Sequence, residues 1–78
     1  KIKVLYFAQL ADLAGKAEEA RMISNPSPEA LYSELRDQYQ FPHEFREVQV
    51  AVNRQLSAHD AVFRNGDNVA FLPPMTGG

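Results

Sequence analysis

The sequence has no cysteine, only two methionines, and little excess of either charge. Without cysteine there is no disulfide framework, no thiolate metal site and no cysteine nucleophile. Eight basic residues against ten acidic ones leave a net charge of −2, with no basic run. Affinity for nucleic acid rests on neutralising phosphates, so no nucleic-acid partner is expected. No apolar run approaches the roughly 20 residues of a membrane-spanning helix, and the N-terminus lacks a signal-peptide pattern. A cytoplasmic domain with no membrane partner is the expectation.

Catalytic groupings are equally scarce. His43 and His59 stand apart, without metal-ligand spacing such as H-E-x-x-H, and read as solvated or capping side chains. Ser24, Ser27, Ser33 and Ser57 sit in no nucleophile elbow. Glu18-Glu19 could pair as catalytic carboxylates, but adjacent charges on an edge strand more often guard it against pairing with another chain. Asn65-Gly66-Asp67 lacks the ligand spacing of a calcium loop. Met22 and Met75 fit a core filler and a tail contact. Neither a metal site nor a self-contained active site is expected.

What is present is a 45% apolar chain of 78 residues, one domain near the lower size limit for a core without staples. Lys1 to Phe7 alternates as a strand, with Ile2, Val4 and Tyr6 on one face and Leu5 and Phe7 on the other. Apolar residues on both faces suit an interior strand. Ala8 to Ala14 suits a short helix carrying Leu10 and Leu13, stopped by Gly15. Lys16 to Ser24 reads as a second strand, antiparallel to the first.

Asn25-Pro26-Ser27-Pro28 is a turn into a helix, with Ser27 as N-cap, Pro28 at the first position and Glu29 favoured by the dipole. Leu31, Leu35 and Gln38-Tyr39 form its helical stripe, and Phe41-Pro42 should end it. Phe45 plugs a core edge. Val48, Val50 and Val52 mark a strand, Asn53-Arg54-Gln55 a turn, and Leu56 a short return strand. Val62 or Phe63 is buried, and Asn65-Gly66 supplies positive φ values before the last strand, Val69 to Leu72. One mixed sheet over one long helix follows, an α+β domain over residues 1–72.

Residues 73–78 form a separate tail. Pro73 and Pro74 stop sheet pairing and hold the chain extended. Gly77 and Gly78 carry no Cβ, so they could thread a narrow channel and present an unhindered carboxylate. Pro73 to Gly78 could reach roughly 20 Å when extended. A carboxylate adenylated by ATP becomes an acyl-adenylate open to a sulfur nucleophile, and the resulting thiocarboxylate is itself a sulfur nucleophile. Such a carrier needs a reachable terminus and no cysteine.

Three stretches carry a family resemblance: Lys3-Val4-Leu5-Tyr6-Phe7-Ala8-Gln9-Leu10-Ala11-Asp12-Leu13-Ala14-Gly15, Ala51-Val52-Asn53, and Asn65 to Gly78 with its G-D-x-V-A-F-x-P-P-x-T-G-G close. They resemble the MoaD family, the small subunits of molybdopterin synthase. Lys16 to Glu47 contributes little, and Gln9 stands where many members have arginine. The related thiamin sulfur carrier ThiS is usually shorter and lacks the Pro-Pro spacing.

The resemblance implies a β-grasp, ubiquitin-like fold and a non-catalytic, sulfur-donating subunit with no permanently bound cofactor. It implies that a MoeB-like adenylating enzyme, using ATP and magnesium, activates Gly78, and that a sulfur donor converts the acyl-adenylate to a thiocarboxylate. The tail, with Gly77 and Gly78 as the functional pair, would enter a MoaE-like large subunit within a heterotetramer. There it would give sulfur to cyclic pyranopterin monophosphate, forming the dithiolene of molybdopterin. Phe7, Leu56, Leu72, Pro73, Pro74, Met75 and Thr76 would meet the partner, although strand alternation leaves core packing equally open for Phe7, Leu56 and Leu72. Sulfur donation to another pathway, a ubiquitin-like protein modifier and a plain interaction module are the alternatives.

Overall fold

The computed structural model describes residues 1–74, so Met75, Thr76, Gly77 and Gly78 lie outside the described residues. The chain runs β1 (Ile2–Tyr6), α1 (Ala8–Ala14), β2 (Glu18–Arg21), α2 (Pro28–Tyr39), a 3₁₀ turn (Phe45–Glu47), β3 (Gln49–Val52), β4 (Gln55–Ser57) and β5 (Asn68–Leu72). The five strands form one sheet in the order β2-β1-β5-β3-β4. β1 and β5 are parallel, and every other pair is antiparallel.

Local chemistry accounts for α2. The Ser27 hydroxyl accepts from the Ala30 N–H at 3.3 Å, Pro28 opens the first turn, and Glu29 follows it. Leu31, Tyr32 and Leu35 are buried against the sheet. The helix ends at Tyr39, ahead of Phe41-Pro42, because Gln40 turns left-handed (φ 61°) and its N–H bonds Arg36 O. Tyr32 buries its ring and donates its hydroxyl to His43 O at 2.8 Å. Ile2, Val4, Tyr6, Val48, Val50, Val69 and Phe71 complete this core from the sheet side. Phe45 packs at its edge, with its ring centroid 5.9 Å from that of Tyr32.

The other turns are set by single residues. Gly15 closes α1 at φ 75°. Asn53 (φ 52°) and Arg54 (φ 72°) make the two-residue turn of the β3–β4 hairpin, so Gln55 belongs to β4. The Asn53 side chain donates to Asp67 Oδ1 at 3.0 Å and accepts from the Asn68 N–H at 2.9 Å, tying this hairpin to the start of β5. The bond from Asn53, with one from the Arg64 N–H at 2.8 Å, holds the Asp67 carboxyl below its ordinary range. At the Arg64–Asp67 turn only Gly66 takes positive φ (92°), not Asn65. Of Val62 and Phe63, Phe63 is buried and Val62 is exposed.

One further expectation is corrected, and another extended, by the register of β2. Arg21 lies opposite Ile2 and Glu19 opposite Val4 on the helix-covered face, whereas Ala20 lies opposite Lys3 on the open face. Met22 shares Ala20's parity and is 80% exposed, so it fills no core. β2 is an edge strand, as the paired glutamates implied, but Glu19 has a further role. It accepts hydrogen bonds from the Tyr6 hydroxyl and, at 2.7 Å, from the Tyr39 hydroxyl, with Arg21 and Lys16 beside it. Burial alone would raise its carboxyl, but these bonds and charges outweigh it and hold Glu19 below the ordinary carboxylate range. Burial, reinforced by the bond to Glu19, pushes the Tyr6 hydroxyl up, so it stays a donor.

Candidate functional site

One face of the sheet carries α2; among the described residues nothing covers the opposite, open face. Strand register lines up Leu5, Ala70, Ala51 and Leu56 in one row across β1, β5, β3 and β4. The two alanines in the middle are small, so the row sinks into a trough between leucines. Phe7 and Leu72 close the trough where β1 and β5 end. The result is an apolar groove of about 270 Å³, with Asn68 and Arg54 at its hairpin end.

A second depression of about 570 Å³ adjoins the first through Phe7 and Leu72. Pro73 and Pro74 line it with Gln9, Glu47 and Gln49, so the base of the tail lies in its wall. Ala8, in left-handed conformation at φ 51°, turns the chain into α1 directly after Phe7 and leaves the Phe7 ring on the open face. A non-glycine residue held there stores strain of about 1–2 kcal/mol. On the outer side His43 bridges the wall: its Nε2 lies 3.1 Å from Gln9 Oε1 and its Nδ1 3.5 Å from Glu47 Oε2.

The structure settles the face of the three apolar residues that alternation left open. Phe7 is 46% exposed and Leu56 68% exposed, so neither is a core residue, and Leu72 is half-buried between them and the tail. Pro73 and Pro74 are half-buried beside Leu72. Met75, Thr76, Gly77 and Gly78 fall outside the described residues. His43 and His59 do not come together; His59 contacts Val48 O through Nε2 and packs on Phe45. Among the described residues no three histidines, cysteines or carboxylates group as metal ligands. No helix among them is long and apolar enough to cross a membrane.

Sequence reasoning missed Leu5, Ala51 and Ala70, and with them Arg54 and Glu47 at the two ends. A signal for the alanines existed: each is flanked by large apolar residues, in Val50-Ala51-Val52 and Val69-Ala70-Phe71. A strand that alternates large with small presents a thin face as well as a thick one.

Comparison with known proteins places this geometry in context. Residues 4–78 match the ThiS family. The chain is 38% identical over 80 aligned residues to the molybdopterin synthase sulfur carrier subunit of Escherichia coli, covering 99% of both chains. In fold it is similar to SAMP1 from Haloferax volcanii, with TM-score 0.73, 21% identity, and 99% and 98% of the two chains covered. It is also similar to a chain in the complex of subunits 1 and 2 of molybdopterin-converting factor from Helicobacter pylori, with TM-score 0.63, 19% identity, and 99% and 97% covered. The domain is a β-grasp, ubiquitin-like fold.

Proposed function

This chain belongs to the ThiS family, and we propose that it is the sulfur carrier subunit of a molybdopterin synthase. The observation that carries the reading is the full-length identity to a carrier subunit of that name. An apolar face running to the root of a Pro-Pro-x-x-Gly-Gly tail supports it. That face is where a larger partner would seat, and the solved complex of subunits 1 and 2 of a molybdopterin-converting factor supports a large-subunit partner.

The cycle follows from acyl chemistry. A Gly78 carboxylate oxygen attacks the α-phosphorus of ATP on an adenylating enzyme of the MoeB type, and pyrophosphate leaves. A donor at the sulfide level attacks the acyl carbon and AMP leaves, giving the thiocarboxylate. In the large subunit the thiocarboxylate sulfur bonds a carbon of cyclic pyranopterin monophosphate, displacing an oxygen substituent. Water then attacks the acyl carbon of the resulting thioester, breaking the acyl C–S bond and restoring the carboxylate. The chain contributes no acid or base of its own; it contributes a body to recognise and a terminus with no Cβ near the reacting carbon.

Intact-mass spectrometry tests this. The full chain is incubated with ATP, magnesium, a MoeB-type enzyme and a sulfide source. The expected result is a shift equal to one oxygen replaced by sulfur, mapped to Gly78. No shift, with the enzyme shown competent on another carrier, would overturn the reading.

A further inference from the structure

Two charges flank β3 at opposite ends of the open face. Glu47 lies two residues before Gln49 and lines the depression at the tail root. Its carboxylate is 43% exposed, and its ion-pair neighbour among the described residues is the His43 ring at 3.5 Å, charged only when protonated. The adjacent Arg46 is occupied by Glu44 at 2.8 Å. Arg54 lies two residues after Val52, at the hairpin end of the apolar groove. Among the described residues no carboxylate lies within ion-pair distance of its guanidinium. Its φ of 72° is a conformation glycine adopts with less strain, so local folding does not account for an arginine there.

Between these ends the groove is lined by Leu5, Phe7, Ala51, Leu56, Ala70 and Leu72, with no charge among them. The two ends of the groove therefore differ in sign at Glu47 and Arg54; of the other charges nearby, Lys3 is paired with Glu18 at 3.3 Å and Asp67 is bonded by Asn53 and the Arg64 N–H. An apolar strip alone would accept a flat partner either way round, because hydrophobic contact is non-directional. Charges at its two ends make one orientation attractive and the reverse repulsive.

We infer that the large-subunit partner sets a basic side chain against Glu47 and a carboxylate against Arg54. This pair of charges orients the partner on the sheet, so that the tail points into it, and selects the cognate subunit. The inference rests on the partner reading of the preceding subsection. Glu47 shares its depression with Gln9, Gln49 and Pro73, and a guanidinium can meet its carboxylate with two parallel bonds where an ammonium cannot.

The test measures association and dissociation of the full-length chain with the large subunit of its own organism, at low and high salt. Glu47→Lys and Arg54→Glu, each losing an attraction and gaining a repulsion of similar size, should weaken binding roughly twofold to thirtyfold. The loss should fall mainly on the association rate and shrink at high salt. Arg54→Gly should weaken binding while the unfolding temperature holds or rises, which separates recognition from folding. Leu56→Asp reports on the apolar docking itself. If both charge reversals bind within twofold of wild type while Leu56→Asp loses binding, the orienting role is overturned and the docking reading stands. If the wild type does not bind, or Leu56→Asp binds as well as wild type, the docking reading fails and the orienting role falls with it.

Discussion

Leu56 offers the sharpest separation of folding from recognition. It is 68% exposed on β4, so the isolated fold gains little from its side chain. Burying a leucine fully is worth about 1.5–3 kcal/mol, so covering the exposed two-thirds on docking is worth about 1–2 kcal/mol. Leu56→Ala should therefore weaken large-subunit binding by roughly fivefold to thirtyfold. Leu56→Asp adds an unpaired carboxylate to a desolvated surface, a cost of several kcal/mol, and should weaken it by more than about a hundredfold. Both variants should unfold within about 0.5 kcal/mol of wild type, as solvent-facing substitutions do. Val62 supplies the control, because it is also 68% exposed but lines neither depression of the open face. Val62→Ala should leave binding unchanged. Titration calorimetry with the large subunit and urea unfolding of the free chain give the two numbers. Wild-type affinity for Leu56→Asp, or a large loss of stability in it, would refute the reasoning.

Three other perturbations probe the remaining parts. Glu19→Gln should cost about 1–2 kcal/mol at neutral pH, since it weakens two hydroxyl bonds to a charged acceptor. Because the folded carboxyl lies below its unfolded value, the contribution is complete above about pH 4.5 and lost as pH falls through the lowered folded value; a gap that did not narrow at all on acidification in urea titrations would contradict this. Gly66→Ala should cost about 1–2 kcal/mol through backbone strain alone, as a Cβ there meets nothing within 4 Å while φ is 92°; an unchanged denaturation midpoint would count against it. Deleting Gly77 and Gly78 should abolish sulfur loading by mass spectrometry with no change in far-ultraviolet dichroism, and unfolding of the truncated chain would show that the tail had been misjudged.

Which features could be read in advance depends on how far apart in sequence their causes lie. Helix α2 was legible because Ser27, Pro28 and Glu29 specify its start within three positions. The succession of strands along the chain was legible from alternation and turn residues in the same local way, whereas the order in which they pair, β2-β1-β5-β3-β4, was not. Glu19 was not legible: its partners Tyr6 and Tyr39 come from β1 and α2, and only the register Val4↔Glu19 turns it toward them. Met22 failed for the same reason, since alternation defines two faces without saying which one a helix covers. Phe7, Leu56 and Leu72 could be named from family resemblance, yet their exposure had to wait for the pairing of β3 with β4 and β5. Arg54 escaped notice because an arginine in a two-residue hairpin turn looks like an ordinary surface residue until its φ is known.

The placement of β5 explains how a domain this small can both fold and aim a tail. β5 lies in the middle of the sheet, bonded to β1 on one side and β3 on the other. Val69 and Phe71 face α2 and are fully buried, while Ala70 and Leu72 face the open groove. One strand thus divides its side chains between stability and recognition, and its last residue leads directly into Pro73 and Pro74. A tail leaving an edge strand could peel away one ladder of hydrogen bonds when pulled; a tail leaving β5 would have to break two. Seating a partner on the face fixes Leu72, and fixing Leu72 fixes where the prolines start. The prolines then carry that direction toward Gly78 with little freedom in φ. On the proposed reading docking and delivery are one event, so a perturbation of the face should reduce sulfur transfer even where Gly78 itself is untouched.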